Sequence, residues 1–292
     1  MAIGEFNASG ILAPEEVGPL IIQPLRLRSV ALRVSTVIES TRPSLRFPIV
    51  DSDAEAAWTE EGDDITPSDP TIGEEVVTPS AVKALTKISN ELIADSAENA
   101  QAAAVVGDGL VRQFARTIDK AFFTSTTSLG PSGLESIGYQ EVYLGGDYVD
   151  FDPFLQAISL VEAVGSVVTS FAADFSTVLA LSLLKRFQPT ADVVSNEPLL
   201  SQSPGDVANP VQRSIFGVPL YSAPYGTIEP GVVWALAADK VFTVMRSDVS
   251  ITANPYFFFG SDSTAVRGTM RLGYGFPHPA AVVKIVGTVP GS

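Results

Sequence analysis

The chain has no cysteine, which excludes disulfides and thiolate metal sites. Histidine is limited to His278, held between Pro277 and Pro279, and no G-x-S-x-G nucleophile elbow occurs. A structural role is therefore expected for His278, and no catalytic residue is assigned. No apolar run approaches the ~18 residues of a membrane span. The opening Met1-Ala2-Ile3-Gly4-Glu5 lacks the basic-then-apolar layout of a signal peptide. Charge is sparse as well: 17% of residues are Asp, Glu, Lys or Arg, against roughly 25% in ordinary domains. Basic residues are the scarcer sign, 18 against 33 acids, for a net charge of −15. Nucleic-acid binding rests on cations that displace phosphate counterions. A chain this acidic, with no run of Lys or Arg, is expected to grip nucleic acid poorly, although it can surround it.

What the chain does have is apolar mass. Hydrophobic residues make up 46% of the 292, and mean hydropathy is +0.26. The length suits one large or two medium domains. So apolar a chain is expected to bury surface against copies of itself. The strongest single feature lies between Arg46 and Lys83. That interval carries no base and ten acids: Asp51, Asp53, Glu55, Glu60, Glu61, Asp63, Asp64, Asp69, Glu74 and Glu75. It reads as two extended arms around a Pro/Gly/Asp tip, Leu45–Val50 going out and Val76–Thr78 through Val82–Leu85 coming back. A lone two-stranded ribbon is marginal in water, so it needs support, and an adjoining subunit is the natural support. Trp58 stands alone among the charges as a candidate anchor.

Other patterns carry less. Asp51-Ser52-Asp53-Ala54-Glu55 begins like a calcium loop, but Ala56 replaces the turn glycine and Gly62 the closing glutamate. Gly107-Asp108-Gly109 falls within a helical pattern, not after a strand, so it is no phosphate loop. Asn7-Ala8-Ser9 is read as a chance tripeptide. No cofactor or metal is expected. Pro14-Glu15-Glu16-Val17 looks like a helix start, and Val34–Glu39 like a strand. Ser89 is an expected N-cap with Glu91 in the first turn, and Asp95 with Glu98 resembles a second capping box. From there to Phe123, Val106, Leu110, Phe114, Ile118 and Phe122 recur every four residues, which predicts a long amphipathic helix. Residues 124–146 read as a loop with short strands. Pro153–Val164 and Asp174–Phe187 read as helices, and Gln188–Pro210 as a loop of some twenty residues. Strands are expected at 218–221, 232–237, 241–246, 249–252, 265–274 and 281–286. The fold class is α+β.

In this order the parts resemble the major capsid proteins of tailed bacteriophages, the Hong Kong 97-like shell fold. The likeness is carried by Ala13-Pro14-Glu15-Glu16-Val17 with Leu25-Arg26-Leu27-Arg28-Ser29-Val30, by Ala57-Trp58-Thr59-Glu60-Glu61-Gly62 followed by Ile88-Ser89-Asn90-Glu91-Leu92-Ile93, and by Phe216–Leu220 and Arg267–Tyr274 running to Pro279-Ala280-Ala281. The resemblance implies an N-arm (1–43), an extended loop (44–86), a peripheral domain with a spine helix (87–130), an axial domain (131–245) and a return to the peripheral domain (246–292). It implies self-assembly as hexamers and pentamers into an icosahedral virion shell around double-stranded DNA, built in the host bacterial cytoplasm. Expected partners are further copies, a separate scaffolding protein, a portal, and minor or decoration proteins, with no membrane. Some members of the family crosslink through a lysine in the extended loop; with none between Arg46 and Lys83, non-covalent contact is expected here. Candidate intersubunit residues are Trp58, Glu60, Glu61, Asp63 and Asp64 on the loop, facing Arg26, Arg28 and Arg33 of the N-arm or Arg112 and Arg116 of the spine helix on a neighbour. An encapsulin-like nanocompartment shell shares the fold and stays open at this point, as more remotely does a β-rich enzyme or binding protein.

Overall fold

The structure is a computed structural model describing residues 28–52, 71–91, 101–188, 193–203, 212–224 and 226–289, with Leu25, Trp58 and Asp69. The elements in chain order are α1 (Val30–Val34), β1 (Thr36–Glu39), β2 (Leu45–Ser52), β3 (Thr71–Val77), β4 (Ser80–Ser89), α2 (Gln101–Phe123), β5 (Gln140–Asp147), α3 (Asp152–Ala163), β6 (Ser170–Asp174), α4 (Phe175–Leu183), β7 (Lys185–Gln188), β8 (Val193–Pro198), β9 (Ser201–Ser203), β10 (Gln212–Ile215), β11 (Val218–Ala223), β12 (Val232–Leu236), β13 (Phe242–Phe258), β14 (Ser263–Gly275) and β15 (Val282–Thr288). The expected helix start at Pro14 and the capping box at Asp95 fall outside the described residues.

The four-residue stripe makes α2. Leu110, Phe114, Ile118 and Phe122 are all buried and pack on a four-stranded sheet of order β1–β13–β14–β4. Contact is close enough to need a residue without a side chain: a Cβ on Gly268 would lie 2.7 Å from the Phe114 ring. The Tyr274 hydroxyl donates to the Ile118 carbonyl at 2.8 Å, and the Phe122 and Tyr274 rings meet edge to face at 5.0 Å.

A seven-stranded mixed sheet, β5–β15–β12–β6–β11–β10–β9, forms the second layer. Its central strands β6 (SFAAD) and β12 (VVWAL) are buried throughout. Alternation sends Ala172, Trp234, Leu236 and Val282 into the core shared with α2, and Phe171, Ala173, Val233, Ala235, Val283 and Ile285 into a second core under α3 and α4. The sheet is a partition with an apolar core on each side, which is why its central strands read as continuous apolar runs instead of alternating ones. Asp174 caps α4 as its sequence suggests, accepting from the Ser176 N–H at 3.0 Å.

Five expectations change. The expected helix Asp174–Phe187 ends as α4 at Leu183, and Lys185–Gln188 is instead strand β7, paired with β8. The returning arm is not one strand: it breaks at Thr78-Pro79, where Pro79 has no N–H to donate to a ladder. Before the break β3 pairs with β2, and after it β4 pairs with β14. The supposed loop from Gln188 to Pro210 contains β8 and β9. Val241–Arg246 and Val249–Thr252 merge into the 17-residue β13, whose register shifts between Met245 and Ser250 hid its continuity. β6 was not anticipated, since five buried residues with no alternation carry no strand period. Gly268→Val should lower the stability of the unassembled subunit by about 1–3 kcal/mol, because the added methyls enter the Phe114 ring. Thermal or denaturant unfolding measures it, and a neutral result would mean that α2 does not bear on β14 there.

Candidate functional site

The ribbon of β2 and β3 pairs from Leu45↔Val77 at its base to Ser52↔Thr71 at its outer described end, with a register shift between Val50 and Ser52. Among the described residues, the base is the part seated on the rest of the chain. Phe47 stacks on Phe242 with ring centroids 4.9 Å apart, and a Cβ on Gly275 would strike both Val77 and Phe47. Both Glu75 carboxylate oxygens accept from the Phe276 N–H, at 2.9 and 3.0 Å. Desolvation pushes the Glu75 carboxyl above its ordinary range, opposed by that hydrogen bond. The opposite face carries Val76 and the exposed Arg46–Glu74 ion pair at 2.7 Å and, farther out, Ile72. Such a pair contributes about 0–1 kcal/mol. Ile72 is 67% exposed, and Trp58 is fully exposed.

The N-arm is tied at one buried carboxylate. Asp119, on α2, accepts from the Ser29 hydroxyl at 2.6 Å and from the Val30 and Ala31 N–H groups at 3.1 and 3.0 Å. Those groups form the first turn of α1, so an acid on one helix caps another. Burial pushes the Asp119 carboxyl up to about 6 despite these donors. Nearby, Arg28 pairs with Asp108 of α2 at 3.3 Å, and the Arg33 guanidinium lies 4.3 Å from the centre of the Tyr221 ring. Two of the expected contact cations thus hold the N-arm to its own body. Arg112 and Arg116 are exposed on α2 and make no ion pair among the described residues. Arg26, Glu60, Glu61, Asp63 and Asp64 lie outside the described residues.

Asp119 and Glu75 were not picked out from sequence. Asp119 left a signal: it stands four residues after the buried Ala115 and three before the buried Phe122, an acid on the apolar face of an amphipathic helix. Glu75 left none, since it is one of ten acids in its segment. Other apolar groups remain outside: Leu179 and Leu183 along α4, and Tyr256, Phe257 and Phe259 at the β13–β14 tip. Among the described residues no cluster of metal-ligating side chains occurs.

A family model described as the phage capsid family matches residues 9–287. Among solved structures, the chain is similar to the capsid of an empty GTA particle, with a TM-score of 0.67 at 17% identity over 90% of both chains. It is also similar to a chain from Microbacterium phage Oxtober96, with a TM-score of 0.66 at 18% identity over 89% of this chain and 91% of that one. A chain from Mycobacterium phage Bobi gives 0.65 at 17% identity over 90% and 91%. At such identities these likenesses show the fold. No curated protein sequence matches the chain.

Two outcomes follow from the anchors. Above pH 6 the fold carries the cost of an ionised buried Asp119; between pH 6 and 3.8 the folded state takes up a proton that the unfolded chain does not. Stability from this group is therefore fully present below pH 3.8 and lost as pH rises through about 6, an effect of about 3 kcal/mol. Relative to Asp119→Asn, the wild-type subunit should gain that stability as pH falls from 7 to 4, read by denaturant unfolding at each pH; parallel pH profiles would refute it. Glu75→Ala should leave the Phe276 N–H without its acceptor and loosen the ribbon base. Faster hydrogen exchange at Phe276 and faster proteolysis within 45–77, with global melting little changed, is the expected pattern.

Proposed function

This chain belongs to the phage capsid family, and we propose that its copies close as hexamers and pentamers into an icosahedral head around double-stranded DNA, each extended ribbon lying on a neighbour. It is a major capsid protein, a structural component of the virion shell. One observation carries the reading of the ribbon: among the described residues its own body supports it at its base, through Phe47, Glu75 and Val77, while Ile72 and Trp58 are exposed. Contacts between unlike patches generate rings and closed shells, and exposed aromatic groups belong at such contacts. In this arrangement Trp58 is the anchor, Glu60, Glu61, Asp63 and Asp64 accompany it, and Arg112 and Arg116 stay available on a neighbour. Assembly takes place in the host cytoplasm, with a separate scaffolding protein, a portal and decoration proteins as further partners. The acidic surface encloses packaged DNA without holding it, because like charge repels the phosphates.

Electron microscopy and sedimentation of the purified chain test the reading. Closed particles are expected; a monomer that stays monomeric at every concentration and salt would sink it. Trp58→Ala should cut particle yield and the melting temperature of assembled particles, while the unassembled subunit melts unchanged. Unaltered particles would remove Trp58 as anchor.

A further inference from the structure

Among the described residues, each of the two large sheets ends on one side in a long strand with a free edge. In the four-stranded sheet it is β4, ten residues long, and in the seven-stranded sheet it is β5, eight residues long. The strands at the other ends, β1 and β9, have only four and three residues. On the outer side of β4 and of β5 no backbone group finds a partner among the described residues. Such an edge is a template for a further strand. The two edges differ in sign. β4 presents Lys83, Leu85 and Lys87 on its exposed face and carries no acid, whereas β5 presents Glu141 and Tyr143 and carries no base. Lys83, Lys87 and Glu141 make no ion pair among the described residues. Leu85 is 57% exposed and Tyr143 76%. On the other faces Val82, Ala84 and Ile88 of β4 and Leu144 of β5 are half-buried against their cores, so an added strand would complete their burial. The regular part of β5 is Gln140–Leu144, because Gly145 has a φ of +70°.

From these observations we infer that β4 of one copy takes β5 of a second copy as a further antiparallel strand, with Leu85 against Tyr143 and Lys87 against Glu141, an assignment that rests on copies of this chain assembling with one another. Antiparallel is the commoner sense of pairing. Setting Leu85 opposite Tyr143 brings Lys87 opposite Glu141 on the exposed face and Ala84 opposite Leu144 on the other, so both faces match in kind. Directly opposed residues point the same way, and like charges there are destabilising. β4 against β4 would bring lysine to lysine, and β5 against β5 would gather acids. β4 against β5 is the combination that joins opposite signs. An acidic strand of another protein would cover β4 and leave β5 open, whereas copies of this chain close both edges with one kind of contact. Each copy owns one edge of either sign, so the contact joins unlike patches and continues from copy to copy around a ring. No residue of β2 or β3 takes part, so this joint is separate from the ribbon.

Introduced cysteine pairs in the full chain test the joint, since the chain has no cysteine of its own. Opposed residues of an antiparallel pair stand ~4.5–5.5 Å apart at Cα, within reach of a disulfide. Oxidised particles of Leu85→Cys with Tyr143→Cys should run as covalent multimers on a non-reducing denaturing gel, and so should those of Lys87→Cys with Glu141→Cys. Lys87→Glu and Glu141→Lys should each cut the yield of closed particles by about tenfold, and the two together in one chain should restore it. All four positions are exposed, and circular dichroism and melting of the unassembled subunits check that each variant folds. Normal particles without crosslinks, crosslinks only within one chain, or failure of the exchange to restore particles would overturn the joint while leaving the shell standing. Covalent dimers from Leu85→Cys alone would show β4 against β4 and overturn it as well. A loss of yield in Lys87→Glu that Glu141→Lys neither shares nor repairs would overturn it in favour of another acidic occupant of β4. Wild-type chain that forms no particles at all would remove the shell reading itself, and the joint with it.

Discussion

Packing of α2 on the inner face of the β1–β13–β14–β4 sheet is the constraint from which the other features hang. It fixes the register of β14, and β14 fixes everything laid along it: β4 on one side, the base of the ribbon at Gly275, and the Glu75 acceptor at Phe276. The same helix carries Asp119, which seats α1. Strand alternation then couples inside to outside. With Met270 and Leu272 held under the helix, Arg267 and Arg271 have nowhere to point but outward, and Lys83 and Lys87 follow by pairing. A slip of one residue would bury the cations and expose the core side chains, so the burial that stabilises the subunit also sets its outer charges.

The ribbon works by the opposite rule. Its base is made of well-seated groups, one stacked ring pair and one bidentate carboxylate, whereas its opposite face exposes the Arg46–Glu74 pair and its outer described part exposes Ile72. In the proposed shell, a segment held at one end leaves Trp58, fully exposed in the subunit, for an adjoining molecule. Each ionic contact there contributes little in water, so no single one commits two copies to each other. Repetition around a closed shell supplies strength that one pair lacks, and weak individual contacts leave misplaced copies free to dissociate during assembly.

Much of this was legible in the residues. The four-residue recurrence of Leu110, Phe114, Ile118 and Phe122 announced α2, and the base-free, acid-rich interval announced a ribbon needing support. What stayed hidden was whatever tertiary pairing decides. The break at Thr78-Pro79 assigns neighbouring residues to different sheets, although both halves have equal strand character. β6 is buried on both faces, so it lacks the period that marks a half-exposed strand. The outward-facing group of Lys83, Lys87, Arg267 and Arg271 could not be read because its members come from strands remote in sequence, each contributing only two charges spaced four residues apart. A search for runs of Lys and Arg passes over such a pattern, and the reading of the chain as devoid of basic clusters holds for the sequence but not for the folded surface.

The balance of charge then has a physical reason. At −15 each, copies repel at long range, which opposes unselective association through the apolar groups they expose, among them Leu179, Leu183, Tyr256 and Phe259. Repulsion is overcome only where opposite signs meet, over a distance comparable to the screening length of about 8–10 Å. An unpatterned acidic surface would stay dispersed, and an unpatterned apolar one would aggregate. In the proposed shell, opposite charges meeting between copies make contact favourable in one relative placement and unfavourable in most others, so the long-range charge supplies discrimination and the buried apolar groups supply strength.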